Sequence, residues 1–435
     1  MKKHDLKNMD ISVYTETLSN GLEIYLVPYT KVKRYYISYG TKFGSLITDF
    51  TPYGSKEECH VPNGVAHFLE HKMFEQENGE DPYDFFGKTG TYVNASTGFE
   101  ATRYICSGTS NYEDNLRYLL KFVNNPYFTD QNVEKEKGII IEEVNMYKDH
   151  PESALDDTCR KCLFNEDHRK IDIGGEVEDV EKITKEDLYL CYENFYQPQN
   201  MFVLIVGNID ANNTLDILKK ELENRENKYD KMPKVKKIEE DYEVHKKEEV
   251  VRFNIEVPKV SYMLKLRKKD FNIKEEYELD VYLNTILKCL FGTTSVFNEE
   301  AKSNDLYTSF YHSFDTTEDY IVVYLCAETT KQNELLKFIE KTLKNRNNLL
   351  NEEDFTRSKK VNIANKIKSS CYIDFISDSI FGDLINYNKV IYNKIDIIRN
   401  LEYSKLLEVS KDLKIDNKSI VVYVPNNDKK YKIEI

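Results

Sequence analysis

The chain has 435 residues, 40% of them hydrophobic and 31% charged, enough for two or three domains with real cores. A formal net charge of −14 argues against nucleic acid, whose phosphates it would repel. No apolar run reaches the roughly 20 residues that a membrane span needs. Met1 to Lys7 also lacks the apolar stretch of a secretory signal, so the expectation is a cytoplasmic protein without a membrane segment.

In chain order, Asn20-Gly21 between two alternating apolar runs signals a β-hairpin. Arg34 to Tyr39 and Gly44 to Ile47 read as the next strand region. A polar loop then leads to a helix for which Asn63 is the expected cap. That helix carries His67-x-x-Glu70-His71. Histidines four apart share one helical face, and Glu70 falls on it too. Phe68, Leu69, Met73 and Phe74 make the helix largely buried, so its polar groups need partners. Two neutral imidazoles can hold a zinc ion while Glu70 acts as the base. The competing reading is a solvated or core-filling histidine pair.

Asn111 to Asn124 reads as a helix with Leu116, Leu119, Leu120 and Val123 on one face. Asn132 to Lys148 is a second helix, its apolar stripe running Val133, Ile140, Val144 and Tyr147, widened by Ile139 and Ile141. Glu136 and Glu143 lie on that stripe, whereas Glu134 and Glu142 turn to solvent. A carboxylate on a buried stripe is costly unless a charge awaits it. Glu143 is therefore the expected third metal ligand. Glu136 joins Glu70 in the catalytic set as a carboxylate that orients a ligand or the attacking water. The competing reading is a solvated face misplaced by one turn.

A helix at 183–195 precedes a strand at 202–206. From Lys219 to Glu248 the chain is charge-dense and poor in large aliphatic residues. This gives a division into 1–220, a linker at 221–248, and 249–435. The second half repeats the order of the first: strands near 249–266, a helix at 274–290 and strands at 306–326. Helices follow after 330 and 351, then a last strand at Ser419 to Val424. The fold class is α+β, with two related domains, each a mainly antiparallel sheet with helices packed on one face. Cys106, Cys289 and Cys326 read as small core residues, and all eight cysteines as reduced thiols. Cys159-Arg-Lys-Cys162 is a lone C-x-x-C with core, redox and zinc-ribbon readings open.

With these motifs in place, the chain resembles the pitrilysin and insulin-degrading-enzyme family of zinc metallopeptidases, which includes the mitochondrial processing peptidase. His67-x-x-Glu70-His71 followed by Glu136 and Glu143 matches the family's pattern residue by residue. Asn94-Ala-Ser-Thr-Gly-Phe-Glu-Ala-Thr-Arg-Tyr104 is similar to its N-A-x-T-x-x-x-x-T-x-Y strand. The match is dense over about residues 10 to 210 and looks most like the bacterial YmfH-type members. The resemblance implies one zinc held by His67, His71 and Glu143, with Glu70 as general base. It also implies peptide substrates that pair with an edge strand at Asn94 and Ala95.

One departure matters. The family places an arginine and a tyrosine in its second domain, and here Ala301 and Thr308 stand at those positions. No arginine occurs between Arg267 and Arg346. The resemblance then implies a heterodimer, in which a sister chain supplies arginine and tyrosine in trans. The alternative is a non-catalytic substrate-binding or scaffold subunit of a heteromeric peptidase complex.

Overall fold

The computed structural model describes residues 1–428 and 431–434. The first sheet contains β1 (Lys2–Leu6), β2 (Ile11–Thr17), β3 (Glu23–Pro28), β4 (Tyr35–Thr41), β5 (Tyr92–Thr97), β6 (Thr102–Gly108) and β7 (Met201–Gly207). Its strand order is β1-β2-β3-β7-β4-β6-β5. Strands β4 and β7 are buried throughout and lie centrally; β7 is an unbroken apolar run, whereas β4 also buries Ser38 and Thr41. Asn20-Gly21 turns β2 into β3 as expected, with Gly21 at φ +91°. Residues 44–47 are not strand. They form a loop whose Ser45 and Leu46 amides donate to the carbonyls of Gly98 and Phe99.

The second sheet contains β8 (Glu248–Phe253), β9 (Lys259–Arg267), β10 (Ser309–Thr316), β11 (Tyr320–Glu328) and β12 (Lys418–Pro425), in the order β8-β12-β9-β11-β10. It repeats part of the first sheet, β3-β7-β4-β6-β5. In each, the first strand pairs parallel with the last, and the other neighbours are antiparallel. Between the second and third strands of each repeat comes a helix, α1 (Val65–Lys72) in the first and α4 (Glu276–Phe291) in the second. After the fourth strands come the long helices α2 (Asp130–Asp149) and α5 (Glu352–Ser369). These lead directly to α3 (Pro151–Leu163) and α6 (Ile373–Tyr387). A separate small sheet joins Asp49–Thr51, Cys59–His60 and Lys234–Val235.

The two compact units interleave along the chain. One comprises Met1–Met146, Ile171–Lys237 and Ile367–Asn393; the other comprises Tyr147–Lys170, Ile238–Lys366 and Lys394–Ile435. One crossing falls inside the charged stretch 221–248, but that stretch is not a free tether. Lys234–Val235 pairs with Asp49–Thr51, and Glu240 accepts the backbone N–H groups of Asn165, Glu166 and Asp167.

In the first unit, one sheet face packs on α1 and α2 through Phe68, Leu69, Val133, Ile140 and Val144. The other face, with Phe202, Leu204 and Val206, is covered by α6. Ile373, Ile376, Ile380 and Leu384 form its inward stripe at helical spacing. Each such burial is worth roughly 1.5–3 kcal/mol. In the second unit, α3 covers Met263, Val322 and Val421 through Leu155, Cys159 and Cys162. The C-x-x-C is therefore core: both thiols are free and buried, and burial pushes their pKa values up.

Candidate metal centre

Helix α1 begins at Gly64, whose φ of +84° is left-handed. A Cβ there would collide with the Gly174 carbonyl, so the chain needs glycine on both grounds. Asn63 is not the cap; its side chain donates to Asp179 instead. Phe68 and Leu69 fill the core, which turns His67, Glu70 and His71 to the other side of the helix.

Helix α2 brings Glu143 to them. The ligand atoms of His67, His71 and Glu143 all lie within 4.8 Å of one another. Glu143 Oε2 is 3.5 Å from His71 Nε2 and 3.9 Å from His67 Nε2. Tetrahedral zinc with bonds near 2.1 Å sets its ligand atoms about 3.4 Å apart. Two imidazole nitrogens and one carboxylate oxygen at this spacing fit such an ion. Among the described residues this is the one such group of three.

Glu136 Oε1 lies 3.2 Å from His71 Nδ1, which leaves Nε2 of that ring facing Glu143. Burial opposes protonation of His71, but the Glu136 hydrogen bond and the surrounding carboxylates raise its pKa above the usual value. Burial, aided by the neighbouring His71, drives His67 down to about 4, so His67 is neutral at pH 7. Its Nδ1 is buried without a hydrogen-bond partner among the described residues. Glu70 is 8% exposed, and burial raises its carboxyl above the ordinary range against the pull of Thr97. Glu134 and Glu142 face solvent as expected, but so do Ile139 and Tyr147, against the periodicity that puts them on the stripe.

Two residues with no role in the sequence reading belong to this site. Thr97, the last residue of β5, donates to Glu70 Oε2 at 2.5 Å. Lys72 is fully buried, with Nζ 3.4 Å from Glu136 Oε2 and in contact with Glu75. A lysine at 72 reads as solvent-facing in sequence; its place after His71, opposite a stripe carboxylate, was the available signal.

Asn94 and Ala95 lie on β5, the edge strand of the first sheet. Asn94 is exposed and donates to the Tyr92 hydroxyl, while Ala95 packs against the core. Among the described residues, no hydrogen bond joins either to the metal-binding group. In the second unit Ala301 is fully buried, Thr308 bonds the Glu328 carbonyl, and the Tyr307 hydroxyl donates to Asn298.

Comparison with known proteins places the chain among peptidases. Residues 50–175 match the family described as Insulinase (Peptidase family M16), and residues 182–362 match the Peptidase M16 inactive domain. The zinc protease YmfH of Bacillus subtilis (strain 168) is 34% identical over 98% of this chain and all of its own length. The crystal structure of an M16-like peptidase from Alicyclobacillus acidocaldarius superposes with a TM-score of 0.89 at 27% identity. It covers 96% of this chain and 99% of that one. A protease from Helicobacter pylori shares the fold at a TM-score of 0.82 and 20% identity, over 95% of this chain and 99% of its own. The chain belongs to the insulinase family of peptidases, M16, and is YmfH-like.

Proposed function

We propose that the chain is a zinc-dependent endopeptidase acting on extended peptides, precursor or leader segments among them. The observation that carries this reading is the Thr97–Glu70 hydrogen bond. It ties the end of an edge strand to the carboxylate beside the three-ligand group. A peptide adding to β5 by main-chain hydrogen bonds runs toward Glu70, along Asn94 and Ala95. Zinc, when bound, lowers the pKa of water to about 7 and polarises a carbonyl. Glu70 takes the proton of the attacking water on its carboxylate and returns it to the leaving amine. Its raised proton affinity suits that double duty. Glu136 fixes the ring of His71 through Nδ1.

The reading includes a partner. Ala301 and Thr308 offer neither cation nor phenol, so a sister chain supplies arginine and tyrosine in trans and closes a chamber with this one. Eight free cysteines suit a reducing compartment such as the cytoplasm. Among the described residues, no helix is long and apolar enough to cross a membrane.

The test is zinc content and peptide cleavage for the wild type and Glu70→Gln, each alone and with the sister chain. The variant is expected to keep its zinc and lose at least about 100-fold in turnover. Normal cleavage by Glu70→Gln removes Glu70 as the base. Full activity of the lone wild-type chain removes the partner.

A further inference from the structure

The repeat brings the same three kinds of element together in the second unit: helix α4, edge strand β10 and long helix α5. In the first unit these carry histidines and carboxylates. In the second, the group consists of Lys288 on α4, His312 on β10 and Asn362 on α5.

Lys288 donates its Nζ to Asn362 Oδ1. Among the described residues it has no carboxylate in ion-pair reach. Lys366 adds a repulsive positive charge, and burial and that charge together depress its pKa. His312 is partly buried and feels Lys288 as a further positive charge. Asn362 is 5% exposed, and its Nδ2 is buried without a partner, whereas the Ser358 hydroxyl beside it is engaged with the Cys289 thiol. Only Lys288 and His312 reach solvent in part.

A half-buried ammonium without a counter-ion is costly, and so is an unsatisfied amide N–H beside it. Proteins tolerate such groups where a ligand completes them. Donors dominate here, and the missing piece is an anion that accepts hydrogen bonds. The geometry points to a carboxylate-binding site whose accessible groups are Lys288 and, at its rim, His312, with Asn362 holding Lys288 from behind; it anchors a peptide through its C-terminal carboxylate or an acidic side chain. The assignment rests on the peptidase reading for the nature of the ligand. The lack of a counter-ion stands independently of it.

The test measures binding of short fluorescent peptides to the full chain carrying Glu70→Gln, so that nothing is cleaved. Three versions are compared: free C-terminus without acidic residues, the same peptide amidated, and the amidated peptide with one glutamate added. The expected result is about tenfold weaker binding of the plain amidated peptide than of one or both carboxylate-bearing peptides. That difference is lost in Lys288→Met and kept in Lys288→Arg. Preference for the first or third peptide tells a terminal from a side-chain carboxylate. Lys288→Met is also expected to melt no lower than its parent, because it removes an unpaired buried charge; a merely structural lysine would lower the midpoint. Binding of all three peptides alike overturns the carboxylate site alone, as does a preference that survives Lys288→Met. Binding of none, with this chain alone and with its sister chain added, overturns the peptidase reading and the carboxylate site with it.

Discussion

Lys72 and Glu136 form a buried ion pair, Nζ to Oε2 at 3.4 Å, directly behind the ring of His71. The ammonium holds one carboxylate oxygen and frees the other for His71 Nδ1. Lys72→Met therefore leaves Glu136 with a poorer anchor. Zinc affinity, measured by chelator competition, is expected to fall about 10- to 100-fold, as for other residues that orient metal ligands. Lys72→Arg should recover part of it. Unchanged affinity in Lys72→Met would show that the ion pair only fills space.

Thr97 holds Glu70 by a hydrogen bond to a charged acceptor, an interaction worth about 1.5–3 kcal/mol. Thr97→Val removes the hydroxyl with little change in shape. Turnover should drop about 10-fold or more with zinc content unchanged and KM nearly so. A rise in KM at constant kcat would instead assign Thr97 to substrate binding.

Gly64→Ala tests how the metal helix is seated. The added Cβ meets the Gly174 carbonyl at a left-handed backbone position. The cost is expected to be on the order of 2–4 kcal/mol, read from the denaturant midpoint. Wild-type stability in this variant would mean that the loop at 172–175 yields freely.

Glu240 predicts a pH dependence. Its carboxylate is buried but accepts from Lys265 and from the amides of Asn165, Glu166 and Asp167. These partners outweigh burial and hold its pKa below the ordinary 4.5. A lowered folded-state pKa stabilises the fold fully above the unfolded value. That stabilisation disappears as pH falls through the lower folded value. Glu240→Gln should cost about 3–5 kcal/mol at neutral pH, because Lys265 is left buried without its counter-ion. The gap between wild type and variant should begin to close as the pH falls below 4.5 and close through the lower folded-state value. A gap constant with pH would show that the charge of Glu240 plays no part.

The metal-binding group was legible because helical periodicity alone puts His67, Glu70 and His71 on one face and Glu136 and Glu143 on another. The apolar runs Met201–Val206 and Ile420–Val424 likewise announced β7 and β12. What stayed hidden depends on contacts distant in sequence. Asn63 has the chemistry of a cap but finds Asp179, while Gly64 answers to a carbonyl at 174. Residues 44–47 alternate like a strand but satisfy their amides on a turn at 98–99. Lys72 is buried because a carboxylate 64 residues away meets it. Tyr147 continues a stripe past the point where its core ends. The pairing of each sheet with a helix from the other half of the chain has no local signature.

That pairing governs how the protein is made. The outer face of the first sheet, with Phe202, Leu204 and Val206, waits for a helix that ends at Tyr387. During translation most of the chain must leave the ribosome before this apolar surface is shielded. A chain cut before Ile373 would leave that face bare, so the last part of the sequence completes the core of the first.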